Sequence, residues 1–167
     1  MNIIIRPETG ADHDAIEAVT VAAFLKAPHT DHNEQLIVRD LRQAGALSLS
    51  LVAEQAGRVV GHLCFSPVTI SDGSKNWFGL GPISVLPELH GKGIGSHLMA
   101  EGLVALEERG ADGCVVLGDP GFYGRFGFEQ NPALLLPGVP PEYFMARSFG
   151  AASARGEVSY HPAFNQG

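Results

Sequence analysis

The stretch with the clearest chemical potential is His90-Gly91-Lys92-Gly93-Ile94-Gly95-Ser96. Its glycines follow a short apolar run, Ile83 to Leu86, closed by Pro87. They precede Ile94, Leu98, Met99, Leu103 and Leu106, apolar at three- and four-residue steps. The spacing predicts strand, glycine turn, helix. The first amides of a helix have no intrahelical partner and sit at the positive end of its dipole, so a turn stripped of side chains there receives a phosphate, and a pyrophosphate suits it. Two phosphate loops fail on spacing. The triphosphate loop needs G-x-x-x-x-G-K-[ST], but Lys92 is followed by Gly93, and Leu86 stands where its first glycine would be. The dinucleotide fingerprint needs G-x-G-x-x-G, but Ser96 stands three residues after Gly93, and no strand-ending acid follows about twenty residues on. No metal site is expected. His29, His32 and Glu34 cluster without sharing a helix face, and Cys64 and Cys114 have neither metal-ligand nor redox spacing and read as reduced core residues.

The elements that must position this loop can be followed in chain order. Ile3 to Arg6 reads as a first strand, and Thr9 with Asp12 imitates a capping box before a helix over about Ala11 to Leu25. A polar loop, Ala27 to Asn33, leads to a second capping pair, Asp31 and Glu34, and a helix that ends near Gly45. Leu47 to Glu54 alternates, Gln55 to Arg58 carries a hairpin glycine, and Val59 to Ile70 continues as a long strand interrupted at Pro67. After a turn at Asp72-Gly73, Trp77 and Phe78 enter the central strand, which completes an antiparallel meander of three. The central helix meets Gly110, and Gly113 to Gly118 encloses Cys-Val-Val-Leu, apolar on both faces as in a fully buried strand. Strand, helix and strand of that length require a parallel right-handed crossover. The sheet is therefore mixed. Beyond it, Asp119 to Phe128 suits a short helix that turns at Gly127 into a strand at Phe128. Tyr143 to Ala146 reads as the last sheet strand, Glu157 to Tyr160 as a small C-terminal strand and His161 to Phe164 as a tail.

Composition bounds the function. At 167 residues with 45% apolar and 17% charged residues, the chain suits one globular domain that buries about two-thirds of its unfolded surface. No run approaches the roughly eighteen apolar residues of a membrane span, so no membrane partner is expected. The N-terminus reads as a strand and not as a signal peptide, which points to a cytoplasmic location. The net charge of -7, with scattered Lys and Arg, argues against nucleic acid.

What remains of the glycine loop, His-x-x-Gly-x-Gly after a strand ending Val-Leu-Pro-Glu, resembles the acetyl-CoA loop of the GNAT superfamily of N-acetyltransferases, usually written [QR]-x-x-G-x-[GA]. His90 departs from it and removes a long polar side chain that commonly braces the loop. Arg6-Pro7 with Asp12 looks like the usual opening of such a domain, and Asp119, Tyr123 and Gly127-Phe128 match its later pattern. The resemblance covers about residues 1 to 149, with 150 to 167 expected as a tail packed on the same domain. It implies an α/β fold, a twisted mixed sheet splayed at its centre with flanking helices, and transfer of an acetyl group from acetyl-CoA to a primary amine of a small molecule. A protein N-terminus or lysine as acceptor, and a non-catalytic acyl-CoA-sensing module, are the alternatives, and a homodimer is allowed.

Residue by residue, the resemblance implies that Pro82, at a bulge, splays the central strand and frees the amides and carbonyls of Ile83, Ser84 and Val85 for the pantetheine arm. His90, Gly91, Lys92, Gly93, Ile94, Gly95 and Ser96 would hold the pyrophosphate. Asp119 would touch the pantetheine or the amine, or else cap a helix. Tyr123 would protonate the leaving thiolate, or else pack beside Phe122 and Phe126. An alkylamine is only about one part in a thousand neutral at pH 7, so a base or water path is needed. Glu34, Glu54 and His62 are candidates, and Asp31, His32 and Glu34 are expected to attract the ammonium.

Overall fold

The chain's structure, a computed structural model, describes residues 2–28, 30–151 and 153–165. β1 (Ile4–Pro7) is followed by α1 (His13–Phe24) and α2 (Glu34–Gln43), then by the strands β2 (Leu49–Gln55), β3 (Arg58–Pro67), β4 (Thr69–Ile70) and β5 (Trp77–Val85). α3 (Ile94–Glu108), β6 (Gly113–Leu117) and α4 (Pro120–Tyr123) come next, and β7 (Leu134–Leu135), β8 (Phe144–Ser148) and β9 (Gly156–Ser159) complete the chain. The main sheet runs β1-β2-β3-β5-β6-β8. Its first four strands are antiparallel neighbours, β5 and β6 are parallel, and β6 and β8 are antiparallel. The expected mixed sheet is thus present. At the β2–β3 turn Ala56 and Gly57 both have positive φ, 51° and 79°, the backbone hand that matches the twist of paired strands.

α3 packs on β2, β3 and β5, and α1 on β3 and β5. The α3 contact is close because Gly102 has no side chain: a Cβ there would stand 2.7 Å from Leu63 Cδ2. Ile16, Leu63, Phe65, Leu98, Met99 and Leu106 are at most 1% exposed and form the heart of the core. At the other end of α3, Gly110 closes the helix at φ 87°, and its amide bonds the Glu107 carbonyl at 3.0 Å.

Three local expectations are corrected. The long strand broken at Pro67 does not resume in the same sheet: β4 pairs with β9, which also pairs with β7, in a small second sheet. One further bond to β5, from the Val68 amide to the Trp77 carbonyl at 3.1 Å, is made before the chain leaves for the second sheet. The strand at Phe128 is reduced to a single bridge between Glu129 and Ala146, because the Asn131 side chain accepts from the Ala133 amide at 2.9 Å and turns the chain away. Asp31 and Glu34 do not form a capping pair. Asn33 is the N-cap residue, Glu34 is the first helical residue, and the Thr30 hydroxyl donates to Glu34 Oε2.

The feature that shapes the site is the partial pairing of β5. Its contact with β6 covers only Trp77 to Gly79, while its pairing with β3 continues to Val85. From Leu80 onward β5 has no strand partner on the β6 side among the described residues. The Gly81–Pro82 peptide at the mouth of this gap is cis. The register irregularity on the β3 side falls between Leu63 and Phe65, opposite Leu80 to Ile83.

Candidate active site

Which groups of β5 face the gap follows from one hydrogen bond. The Leu86 amide donates to the Val60 carbonyl at 3.0 Å. Backbone groups alternate along an antiparallel strand, so Ser84 shares the β3 side with Leu86, while Ile83 and Val85 turn their amides and carbonyls toward the gap. The expectation that all of Ile83, Ser84 and Val85 are free therefore narrows to Ile83 and Val85. The Val85 carbonyl is itself taken: His90 Nε2 lies 2.9 Å from it and must be the donor. His90 thus braces the glycine loop against β5. The shorter side chain still spans the distance, contrary to the expected loss of a brace.

The loop beyond His90 folds as its glycines require. Gly91 and Gly93 sit at φ 78° and 83°, a region costly for any other residue, with open space where a Cβ would be. Gly93 is the N-cap of α3, and the first intrahelical bond runs from His97 N to the Gly93 carbonyl at 3.0 Å. The amides of Ile94, Gly95 and Ser96 therefore have no intrahelical acceptor. Gly95 is different. It is helical, and a Cβ there would touch only Phe122 and Val85, each at 3.9 Å.

Two cavities open on the gap. The first, about 770 Å³, runs along the loop and α3's first turn and is walled by Ile83, Val85, Asp119 and Phe122. The second, about 750 Å³, lies toward Leu80, Gly81 and Pro82, with Glu34 and Tyr160 in its wall. Phe24, Ile83 and Tyr123 line both. Tyr123 packs edge-on to Phe122 at 5.0 Å, and burial, aided by the Asp119 carboxylate and Cys114, pushes its hydroxyl up to about 12. Asp119 Oδ1 accepts from the Gly121 amide at 2.9 Å and so caps α4.

Of the residues singled out in the sequence, Ile83, Val85, His90, Gly91, Gly93, Ile94, Gly95, Ser96, Asp119 and Tyr123 come together around the first cavity. Ser84 is 2% exposed and lines neither cavity, and Lys92 lines a separate, smaller hollow with Asn2 and His97. Glu34 lines the second cavity. Asp31 and His32 are exposed and line neither, and His29 lies outside the described residues. Glu54 is bound to Arg6 at 3.1 Å in an ion-pair group with Asp12, away from both cavities. His62 is fully buried. Its Nε2 lies 2.8 Å from Ser50 Oγ, the Ser50 hydroxyl donates to Glu8, and Glu8 meets Arg42 at 2.9 Å.

Sequence reasoning missed Arg125, Phe24 and Tyr160. Arg125 Nη2 donates to Ser96 Oγ at 2.6 Å, and its guanidinium lies over the Phe122 and Phe126 rings at 5.2 and 5.3 Å. It is the one Lys or Arg among the described residues that line the first cavity. An Arg between aromatic residues was the available signal. Tyr160 had none, because its place depends on a glycine far away in sequence: a Cβ at Gly79 would stand 2.3 Å from the Tyr160 ring.

Comparison with known proteins decides the family. The model of the acetyltransferase (GNAT) family matches residues 13–128. The chain belongs to the GNAT family of acetyltransferases. Among the relatives of this GNAT protein is the uncharacterized N-acetyltransferase YhbS of Escherichia coli (strain K12), 35% identical over 158 residues, covering 90% of this chain and 95% of the relative. The crystal structure of a GNAT family acetyltransferase from Brucella melitensis in complex with acetyl-CoA superposes with a TM-score of 0.87 at 47% identity, covering 98% of both chains. That of Escherichia coli YhbS in complex with CoA gives 0.88 at 34% identity, covering 99% of this chain and 93% of the other. Among the described residues of the GNAT chain no helix is long and apolar enough to cross a membrane, and no group of three or more His, Cys, Asp or Glu that could hold a metal occurs.

Proposed function

We propose that this GNAT protein transfers the acetyl group of acetyl-CoA to the primary amine of a small molecule, with CoA in the first cavity and the amine in the second. The observation that carries the reading is the junction of two cavities at Phe24, Ile83 and Tyr123, beside the unpaired edge of β5. The CoA and acetyl-CoA complexes of the two similar proteins support the assignment of the first cavity. So does its chemistry: three helix-start amides and Arg125 favour the pyrophosphate, and the amide and carbonyl of Ile83 offer the pantetheine arm an open strand edge. The mostly apolar wall of the second cavity, with the single carboxylate of Glu34, suits a small amine.

In the reaction the amine nitrogen bonds to the thioester carbon, the C–S bond breaks, and the amine's surplus proton leaves through a base or solvent. An amide of β5 facing the gap stabilises the developing oxyanion, the kind of contact that fixed donors make most effective. Tyr123 lies where the sulfur departs. With its hydroxyl near 12 and a thiol near 8.5, full proton transfer to the thiolate is uphill by several powers of ten. Tyr123 therefore stabilises the thiolate by donating a hydrogen bond, and the proton that completes CoA is the one the amine gave up, returned through solvent.

The test is thiol release from acetyl-CoA with a panel of amines, with the acetylated product identified by mass. Amine-dependent release is expected. Binding of acetyl-CoA without turnover of any amine would overturn the reading in favour of an acyl-CoA sensor.

A further inference from the structure

The acceptor cavity has an uneven chemistry. Its wall is mostly hydrocarbon and aromatic: Leu80, Leu117, Leu136, Val139, Tyr160 and Phe164. Against this stands a single charged side chain, Glu34, the one Asp, Glu, Lys, Arg or His among the described residues that line it. Glu34 is half-met in its hydrogen bonding. Oε2 accepts from the Thr30 hydroxyl, whereas Oε1 is covered and has no partner among the described residues. A covered carboxylate oxygen without a donor is costly, and such groups in native proteins call for an explanation, a ligand's donor being one. The carboxylate is also held in place, because Glu34 is the first residue of α2 and Ile37, one turn on, packs into the same wall.

We propose that the acceptor is a monoamine with an apolar or aromatic body, its ammonium held by Glu34 and its body by the hydrocarbon wall. This rests on the acetyl-transfer reading and deepens it. The cavity opens at Ile83 and Tyr123 into the space assigned to the thioester, so an amine anchored at Glu34 has a short way to travel. Once the ammonium releases a proton, to Glu34 or to water, the neutral nitrogen attacks the thioester. A di- or polyamine would carry a second ammonium into a wall with no second carboxylate. An amino alcohol buries less hydrocarbon, although Ser159, Asn165 and the tyrosine hydroxyls of the wall can meet its own hydroxyl. The polyamine is disfavoured by the cost of an unpaired charge, and the amino alcohol by the smaller apolar area it buries. Val158, Ser159 and Tyr160 of the C-terminal segment form part of the same wall.

The experiment compares 2-phenylethylamine, ethanolamine and spermidine as acceptors at saturating acetyl-CoA. The aryl amine should exceed both others in kcat/KM by ten- to a hundredfold, the range expected for burying most of a phenyl group. Glu34→Gln should raise its KM at least tenfold and leave the KM for acetyl-CoA unchanged. Val139→Asp should weaken the aryl amine and improve spermidine, a gain that a folding defect would not produce. Spermidine or ethanolamine as the best acceptor, or an unchanged KM in Glu34→Gln, would overturn the proposal. If no amine is acetylated at all, calorimetry on the CoA complex separates the two readings. Binding of 2-phenylethylamine that Glu34→Gln abolishes supports the pocket even as acetyl transfer fails, and no binding overturns it.

Discussion

Tyr123 depends on a neighbour with no side chain. A Cβ at Gly118 would stand 2.5 Å from Tyr123 Cε2, so the ring occupies space that only glycine leaves open. Two variants separate the hydroxyl from its placement. Tyr123→Phe keeps the ring and removes the hydrogen bond to the developing thiolate, a charge-assisted contact of about 1.5 to 3 kcal/mol. Turnover should fall roughly 10- to 100-fold with CoA affinity intact. Gly118→Ala should lose a similar factor while retaining the hydroxyl, because the ring must move. Single-turnover kinetics checks both, and an unchanged chemical step in Tyr123→Phe would return Tyr123 to a packing role. Because the hydroxyl stays protonated to about 12, the wild type should show no alkaline loss of rate from this group below pH 10. Tyr123 was visible in the sequence as a motif residue. The burial that raises its hydroxyl, and so favours a hydrogen-bonding role over proton transfer in the proposed reaction, was not, since it comes from distant elements.

At the scale of elements, the loop and α3 act as one unit. Its glycines differ in what they do, although the sequence shows them as a uniform series. Gly93 needs its positive φ, so Gly93→Ala strains the N-cap by roughly 1 kcal/mol or more and should lower both thermal stability and CoA affinity. Gly95 does not. Its added methyl meets Phe122 and Val85 at an ordinary 3.9 Å, so Gly95→Ala should keep or slightly raise stability by improving helix propensity. At the same time it puts a methyl where the pyrophosphate would lie closest to the backbone. Thermal melts with CoA titrations of the two variants check this. Equal CoA affinity for Gly95→Ala and the wild type would move the phosphate off α3's first turn. The splay of β5 follows the same logic. Glycine and proline near the strand's start were legible as a disturbance, but its direction depends on β6, whose pairing with β5 ends at Val115 and Gly79 while its pairing with β8 runs on to Leu117.

For the whole molecule, His62 ties pH to stability. Burial dominates its titration, Arg42 adds to it and Glu8 opposes it, leaving His62 lowered to about 4 against 6.5. Between these values the unfolded chain binds the extra proton, so stability rises with pH. The contribution is fully present above about 6.5 and is lost as pH falls toward 4. That amounts to roughly 2 kcal/mol between pH 7 and pH 5. Glu8 and Asp12, both held below the usual carboxylate range by their Arg partners and other hydrogen bonds against the opposing cost of burial, act at lower pH and do not mask the window. His62→Gln should flatten urea midpoints between pH 5 and 7, and an undiminished slope would assign it to other groups.

What the sequence determined by itself is local. The order of strands and helices, the parallel crossover around α3, the glycine turn that opens α3 and the family pattern are all set by periodicity, glycine spacing and short-range geometry. These act within about twenty residues and leave a linear trace. The tertiary structure decided what contacts between distant residues decide. His90 was found to brace β5, Ser84 to be spent on β3, and Asp31 and His32 to stay exposed outside both cavities while Glu34 lines one. β9 was found in a second sheet that brings Tyr160 to the wall of the second cavity. No pattern along the chain encodes such contacts: Tyr160 meets Gly79, and Glu34 shares a wall with Leu80, across long separations in sequence, and even His90, five residues from Val85, depends on β5 being parted from β6.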